Sequence, residues 1–358
     1  MPWDAAGQTT IASIERKDRI DEGLGSAVDS FRKGKKMARL FFALLLLLFA
    51  VPARATTIVE VVLDDVSYPI DLQALPSLDA LAQAGTSFRA AMTPMPLCTP
   101  SRISLLTGLH PDSHGVYVND IKLADLSDTI ATRLQAQGFR TAIVGKLGNR
   151  VEGMARPPGW DKYQILIKHS DLGAEDQTHW VANRSADFLR DCKTDGVDCF
   201  LYSAPVAPHG PLDGPPECQC VPIAPKPPGV ALDDRTWERR QRALCGLNGL
   251  IDKLQRVAPV DTFFVVVGDN GFIIDDTWKT GKNELVLDAL RVPLVIKGPG
   301  IATSVRNEIA TPMDVAATIL DLAGTTKPSI DGRSLLPLTL GVKGEDWKGS
   351  FTARIPEE

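Results

Sequence analysis

Two apolar stretches, far apart in the chain, end in the same kind of residue, and they constrain the fold more than any other feature. Thr57-Ile58-Val59-Glu60-Val61-Val62-Leu63 runs into Asp64-Asp65, and Thr262-Phe263-Phe264-Val265-Val266-Val267 runs into Gly268-Asp269-Asn270-Gly271. Near-continuous apolar runs of this length read as strands buried on both faces, and such strands belong to parallel sheets covered by helices. Glu60 is out of place in the first run, and no sequence argument accounts for it.

The stretches between them alternate. Leu75 to Ala84 reads as a helix and Phe88 to Met92 as a short strand. Ser127 is placed to cap a helix over Asp128 to Gln137, closed by Gly138. Further strands are expected at Thr141 to Val144, Phe200 to Ser203 and Val292 to Ile296, and helices at Trp180 to Arg190 and Leu232 to Val257. Thr311-Pro312-Met313-Asp314 starts a last helix that ends near Gly324. Residues 205–229 are dense in proline and read as a long loop, a kind of segment that commonly carries function.

Strands alternating with helices, with polar motifs at strand carboxyl ends, describe an α/β sheet whose ligand site lies along that edge. There Asp64, Asp65, Asp269 and Asn270 would meet. Three carboxylates and an amide oxygen suit a hard cation such as calcium or magnesium.

A second local feature points to the same edge. In Cys98-Thr99-Pro100-Ser101-Arg102-Ile103-Ser104-Leu105-Leu106-Thr107-Gly108, Pro100 sits where a first helical residue would, and Gly108 where the helix would stop. Cys98 is therefore expected just ahead of a helix N-terminus, where backbone N–H groups and the helix dipole favour an anion. Arg102 follows one turn later on the same side.

This stretch matches in full the pattern C-x-P-S-R-x-x-x-L-T-G, and the chain resembles the type I sulfatases of the alkaline phosphatase superfamily from about Thr57 to Leu340. The resemblance implies a three-layer αβα sandwich around a mixed, mostly parallel sheet. It implies a sulfuric ester hydrolase in which Cys98 is converted to formylglycine by a formylglycine-generating enzyme. The hydrated aldehyde attacks the sulfur of a sulfate ester, and its second hydroxyl then expels sulfate. It implies a calcium ion, with magnesium as the other option, held by Asp64, Asp65, Asp269, Asn270 and the oxygen that replaces the Cys98 thiol. Arg102, Lys146 (in Gly145-Lys146) and Lys282 (in Gly281-Lys282) would hold the sulfate, and His209 (in Pro208-His209-Gly210-Pro211) would help the leaving group. Met313 to Gly324 and Asp331-Gly332-Arg333-Ser334-Leu335 resemble further segments of the family. A narrower likeness is to N-acetylglucosamine-6-sulfatases, carried by Thr93-Pro94-Met95, His114-Gly115-Val116-Tyr117-Val118-Asn119 and Pro157-Pro158-Gly159-Trp160. It implies a sulfated amino sugar or glycosaminoglycan-type substrate.

The chain departs from the family at three places. Leu147-Gly148-Asn149 follows Lys146 where a histidine is usual, although the amino-sugar group also carries an asparagine at the position of Asn149. Phe272-Ile273-Ile274-Asp275 lacks a histidine often seen after the Asp-Asn-Gly block. The small C-terminal subdomain of the family is expected to be truncated. Two other readings stay open: a phosphonate monoester hydrolase or phosphodiesterase of the same superfamily, which shares the cysteine motif and the acidic metal site, and an inactive relative that binds sulfated glycans, to which these departures point.

The remaining features set context. The net charge of -5, with no basic block outside the N-terminal region, gives no sign of nucleic-acid binding. Arg32, Lys33, Lys35, Lys36 and Arg39 precede an apolar run from Leu40 to Val51, and Ala53-Arg54-Ala55 offers a small-x-small cleavage site. Residues 37–55 thus read as a signal peptide, with membrane contact through that segment only and a secreted or periplasmic destination. Residues 1–36 read as a disordered extension or a wrongly placed start, 56–340 as the catalytic domain and 341–358 as a tail. Export permits disulfides. Cys192 and Cys199 flank a turn and form the expected pair, while Cys218 and Cys220 read as disulfide or free thiol. His114 reads as structural, and His169 and His179 as surface residues.

Overall fold

The computed structural model describes residues 55–166, 176–210, 212, 214–276, 279–326, 328–344, 346–347 and 349–355. The expected extension, the leader up to Arg54 and His169 lie outside the described residues.

Among the described residues eight strands form one sheet: β1 (Thr57–Leu63), β2 (Thr86–Ala91), β3 (Arg140–Gly145), β4 (Lys162–Ile165), β5 (Cys199–Ala204), β6 (Thr262–Gly268), β7 (Leu294–Lys297) and β8 (Ser304–Ala310). Their order is β4-β3-β5-β1-β6-β7-β2-β8. All pairings are parallel except those of β7, which is antiparallel to both β6 and β2. The two apolar runs that defined the pattern are neighbours at the centre, with Leu63 in register with Gly268. Their carboxyl ends therefore open side by side.

Alternation along β1 assigns the layers. Val59, Val61 and Leu63 pack toward α1 (Pro76–Gln83), α4 (Gln177–Asp195) and α5 (Asp234–Val257). Ile58 and Val62 pack toward α2 (Cys98–Thr107), α3 (Ile130–Ala136) and α6 (Pro312–Leu322). With helices on both faces, the expected three-layer αβα sandwich and mixed, mostly parallel sheet are what the structure has.

Local differences have local causes. Helix α2 begins at Cys98 itself, with Leu97 as its cap and Pro100 as its third residue, so the cysteine lies inside the first turn rather than ahead of it. Gly108 closes it at φ 69°, where a side chain would be strained. Helix α3 is capped by Thr129, not Ser127, because Thr129 and Thr132 exchange side-chain and backbone bonds. Strands β4 and β8 had no counterpart in the sequence reading. They are the two edges of the sheet, only partly buried, and so lack the continuous apolar run of a central strand.

Two disulfides brace the layer behind the sheet. Cys192–Cys199 ties the end of α4 to the start of β5, as its spacing suggested. Cys218–Cys245 fastens the proline-rich loop to α5, and Cys220 is a free, exposed thiol.

Candidate active site

The carboxyl ends of β1, β3 and β6, the loop after β5 and the first turn of α2 converge on one point. Asp64 and Asp65 leave β1, Lys146 follows β3, Asp269 and Asn270 follow β6, and Cys98 opens α2. Oxygens of Asp64, Asp65 and Asp269 and the Cys98 sulfur all lie within 4.8 Å of one another. Cys98 Sγ is 3.3 Å from Asp64 Oδ1 and 3.9 Å from Asp65 Oδ1.

Three cations face these carboxylates. Lys146 Nζ donates to Asp64 Oδ2 at 2.6 Å. Lys282 Nζ donates to Asp65 Oδ1 at 2.6 Å and to Cys98 Sγ at 2.7 Å. Arg102 donates from Nε to Asp269 Oδ2 at 2.8 Å and from Nη1 to the Lys146 carbonyl at 2.8 Å, and its Nη2 lies 3.6 Å from Asp64 Oδ2. Arg102 is fully enclosed (0% exposed), so its guanidinium is directed at the protein's own carboxylates. The lysines are nearer the opening, with side chains 8% and 15% exposed. His209 stands at the mouth, 33% exposed, with Nε2 3.9 Å from Asp65 Oδ2. Beside it a cavity of about 300 Å³ is lined by Pro208, Leu212, Leu232 and Phe272.

Charge and burial set the protonation states. Burial alone would raise the Asp64 carboxyl, but Lys146 and Arg102 outweigh it and hold Asp64 well below the usual carboxylate range. Burial and then the like charge of Asp64 raise Asp269. Burial first, then Asp64, push the Cys98 thiol far up, so this sulfur is not a thiolate at neutral pH. Burial would lower Lys146 and Lys282, yet the surrounding acids hold both above the ordinary lysine value.

The donor set fits a hard divalent cation. Asn270 Nδ2 donates to Asp65 Oδ1 at 2.6 Å and to the Gly271 carbonyl at 2.9 Å. Its Oδ1 is buried without a hydrogen-bond partner beside three carboxylates. An enclosed amide oxygen left over in an oxygen-rich cluster is available to a cation, and oxygen donors of this kind suit calcium or magnesium.

All the expected site residues are thus brought together. The supports of Cys98 went partly unread. Thr99 N donates to Asn119 Oδ1 at 3.0 Å, and Thr99 Oγ1 donates to Asn149 Oδ1 at 3.0 Å while accepting from Asn149 N at 2.9 Å. Asn149, noticed as a departure from the family, therefore anchors the first turn of the cysteine helix. Of the other described histidines, His110 caps the short helix Pro111–His114 through the Asp112 amide, His114 bonds Ser104 and the Val116 amide, and His179 pairs with Glu217 at the surface.

The sulfatase family model matches residues 56–325. An extracellular sulfatase homologue of Caenorhabditis elegans is 30% identical over 320 residues, covering 72% of this chain and 45% of that protein. The N-acetylglucosamine-6-sulfatase of Homo sapiens is 26% identical over 353 residues, covering 78% of this chain and 63% of its own length. The chain thus spans less than two thirds of the length of these relatives. Among solved structures, one in complex with its substrate D-glucosamine-2-N,6-O-disulfate superposes with a TM-score of 0.68 at 19% identity, covering 85% of this chain and 84% of that one, a likeness of fold. The matched span runs across the whole sheet and contains the positions of the cluster, so the chain belongs to the sulfatase family.

Proposed function

We propose that this protein hydrolyses a sulfate monoester, using formylglycine made from Cys98 and a calcium ion, or magnesium, held by Asp64, Asp65, Asp269 and Asn270. The observation that carries this reading is the placement of Cys98. It is recessed among three carboxylates and touched by Lys282, where a free thiol has little nucleophilic character. When formed, the aldehyde hydrate supplies one hydroxyl to attack sulfur and a second to release sulfate. When bound, the cation supplies positive charge opposite the sulfate oxygens.

The chain's own residues do the rest. Asp64, Asp65 and Asp269 balance Arg102, Lys146 and Lys282 one for one, so a divalent ion would leave the site positive and receptive to an anionic ester. Lys146, bonded to Asp64, and Lys282, bonded to Asp65 and Cys98, present ammonium groups to the cluster, where charge on the sulfate oxygens can be held. His209 is accessible at the mouth and is the group placed to give a proton to the departing alcohol oxygen as the S–O bond breaks. Arg102 fixes Asp269 and faces Asp64, and so acts on the sulfate through them.

A sulfated amino sugar is the substrate class supported by the Thr93, His114 and Pro157 segments, with the human relative named for such a substrate. Cleavage of the leader, export and a formylglycine-generating enzyme as maturation partner belong to the same reading. The C. elegans relative is named an extracellular protein. Among the described residues no helix is long and apolar enough to cross a membrane.

The test is mass spectrometry of the peptide Ala91–Arg102 from protein exported beside the maturation enzyme, with release of sulfate from 4-nitrophenyl sulfate and glucosamine 6-sulfate. Formylglycine and sulfate release are expected. An unmodified cysteine, or faster turnover of a phenyl phosphonate ester than of any sulfate, would overturn the reading.

A further inference from the structure

We infer that Arg240, on helix α5, is a positioning residue that sets the direction of Asp65, and through it the affinity of the site for its cation. This rests on the reading of Asp65 as a metal ligand.

Asp65 has φ 63°, a left-handed conformation that is strained for a non-glycine residue and persists only where the surroundings hold it. Both backbone polar groups of Asp65 are held. Its N–H donates to Asp269 Oδ1 at 3.3 Å, and its carbonyl accepts from Arg240 Nη2 at 2.6 Å. With the peptide groups fixed on both sides, the side chain is committed toward Cys98, Lys282 and Asn270.

Arg240 is itself tightly held. Its side chain is 3% exposed, and the fork of Nε and Nη2 grips Asp71 Oδ1 and Oδ2 at 3.1 and 2.5 Å. A bidentate, buried pair of this kind has one geometry. Nη2 also donates to Ser67 Oγ at 3.1 Å, Ser67 N donates to Asp71 Oδ2 at 2.7 Å, and Ser67 Oγ donates to the Phe272 carbonyl at 2.5 Å. The guanidinium also covers the Phe272 ring at 5.3 Å. The loop after β1 and the loop after β6 are therefore tied to each other through Arg240. These loops carry Asp64, Asp65, Asp269 and Asn270. The tie lies on a helix that contributes nothing to the cluster itself, which is why motif reading passes over it.

The test is calorimetric titration of the full chain with Ca2+ alone, and with Mg2+ alone. Arg240→Lys keeps a positive charge beside Asp71 but cannot span Asp71, Ser67 and the Asp65 carbonyl together. It is expected to raise the Ca2+ Kd by about 10–100-fold, the range seen when supports of metal ligands are removed. Leu244→Ala, in the core on the same helix, is the control: it should lower the melting temperature and leave the Kd unchanged. If Arg240→Lys does not fold, Asp71→Asn, which leaves the arginine without its anchor, carries the same expectation. A folded variant with wild-type Ca2+ affinity, or a control that weakens binding as much, overturns the role of Arg240. A wild-type chain that binds neither cation overturns the metal reading instead.

Discussion

Lys282 Nζ lies 2.7 Å from Cys98 Sγ and 2.6 Å from Asp65 Oδ1, so one ammonium joins the proposed nucleophile position to a proposed cation ligand. These three residues come from three separate segments: the end of β1, the first turn of α2 and the loop between β6 and β7. A group so placed neutralises Asp65 in the resting site and, in the proposed reaction, would be available to a sulfate oxygen. Removing one such preorganised donor typically costs about 100–1,000-fold in rate. Lys282→Ala is therefore expected to lower kcat/KM on 4-nitrophenyl sulfate by that factor. A rate within tenfold of wild type would show that Lys282 serves the fold only.

The balance of three carboxylates against three cations predicts how the protein responds to its metal. A ligand that binds only the folded state stabilises it by about 2.7 kcal/mol at a hundredfold excess over its Kd. For a domain of this size that corresponds to roughly 5 °C in melting temperature. Protein stripped with a chelator should therefore melt several degrees lower, and Ca2+ or Mg2+ should restore the loss. Asp269→Ala should abolish the shift, since it removes an oxygen ligand and leaves Arg102 without its closest carboxylate. A melting temperature indifferent to both cations would argue that the cluster is closed by its lysines alone.

Much of this site is legible in the amino-acid sequence. Asp64-Asp65 and Asp269-Asn270 end central strands, and a parallel sheet brings such ends together whatever lies between them. The cysteine motif is local, so its helix follows from Pro100 and Gly108, although the helix starts two residues before the proline. The strands that escape, β4 and β8, are edges, where burial on one side only erases the apolar run. Arg240 escapes for a different reason. It is one of several arginines in Asp234–Val257, and nothing in its neighbours tells that it alone reaches Asp65 and Asp71. Side-chain convergence of that kind depends on how α5 is rotated against the sheet, and its sequence period does not say which arginine faces inward at that level.

The Cys218–Cys245 bridge joins cysteines 27 positions apart and encloses the second half of the proline-rich segment, residues 218–229. Chain-entropy arguments give such a crosslink about 3–4 kcal/mol. The double variant Cys218→Ala/Cys245→Ala should lose an amount of that order in urea denaturation. Because the bridge fastens the loop and not the cluster, Ca2+ affinity should hold while KM rises. An unchanged denaturation midpoint would show that the loop is ordered without it.

Glu60, the residue that no sequence argument explained, makes a prediction of its own. It points from the centre of β1 into the interior at 0% exposure, in register with Tyr202 on β5, and neither carboxyl oxygen has a hydrogen-bond partner. Burial pushes its carboxyl up to about 8, with the charge of Arg102 opposing only in part. An unfolded glutamate titrates near 4.5. Between those two values the folded chain keeps a proton that the unfolded chain has released. Stability therefore falls as pH rises from 4.5, and the loss levels off above about 8. One proton sets the limit of that slope at about 1.4 kcal/mol per pH unit. Glu60→Gln keeps the shape and removes the titration, so it should gain on the wild type steadily across this window. Urea denaturation of both proteins at several pH values checks this directly, and the difference between them cancels every other titrating group. A difference that stays constant from pH 5 to pH 8 would mean that Glu60 titrates as an ordinary carboxyl, and that water reaches it inside the sheet.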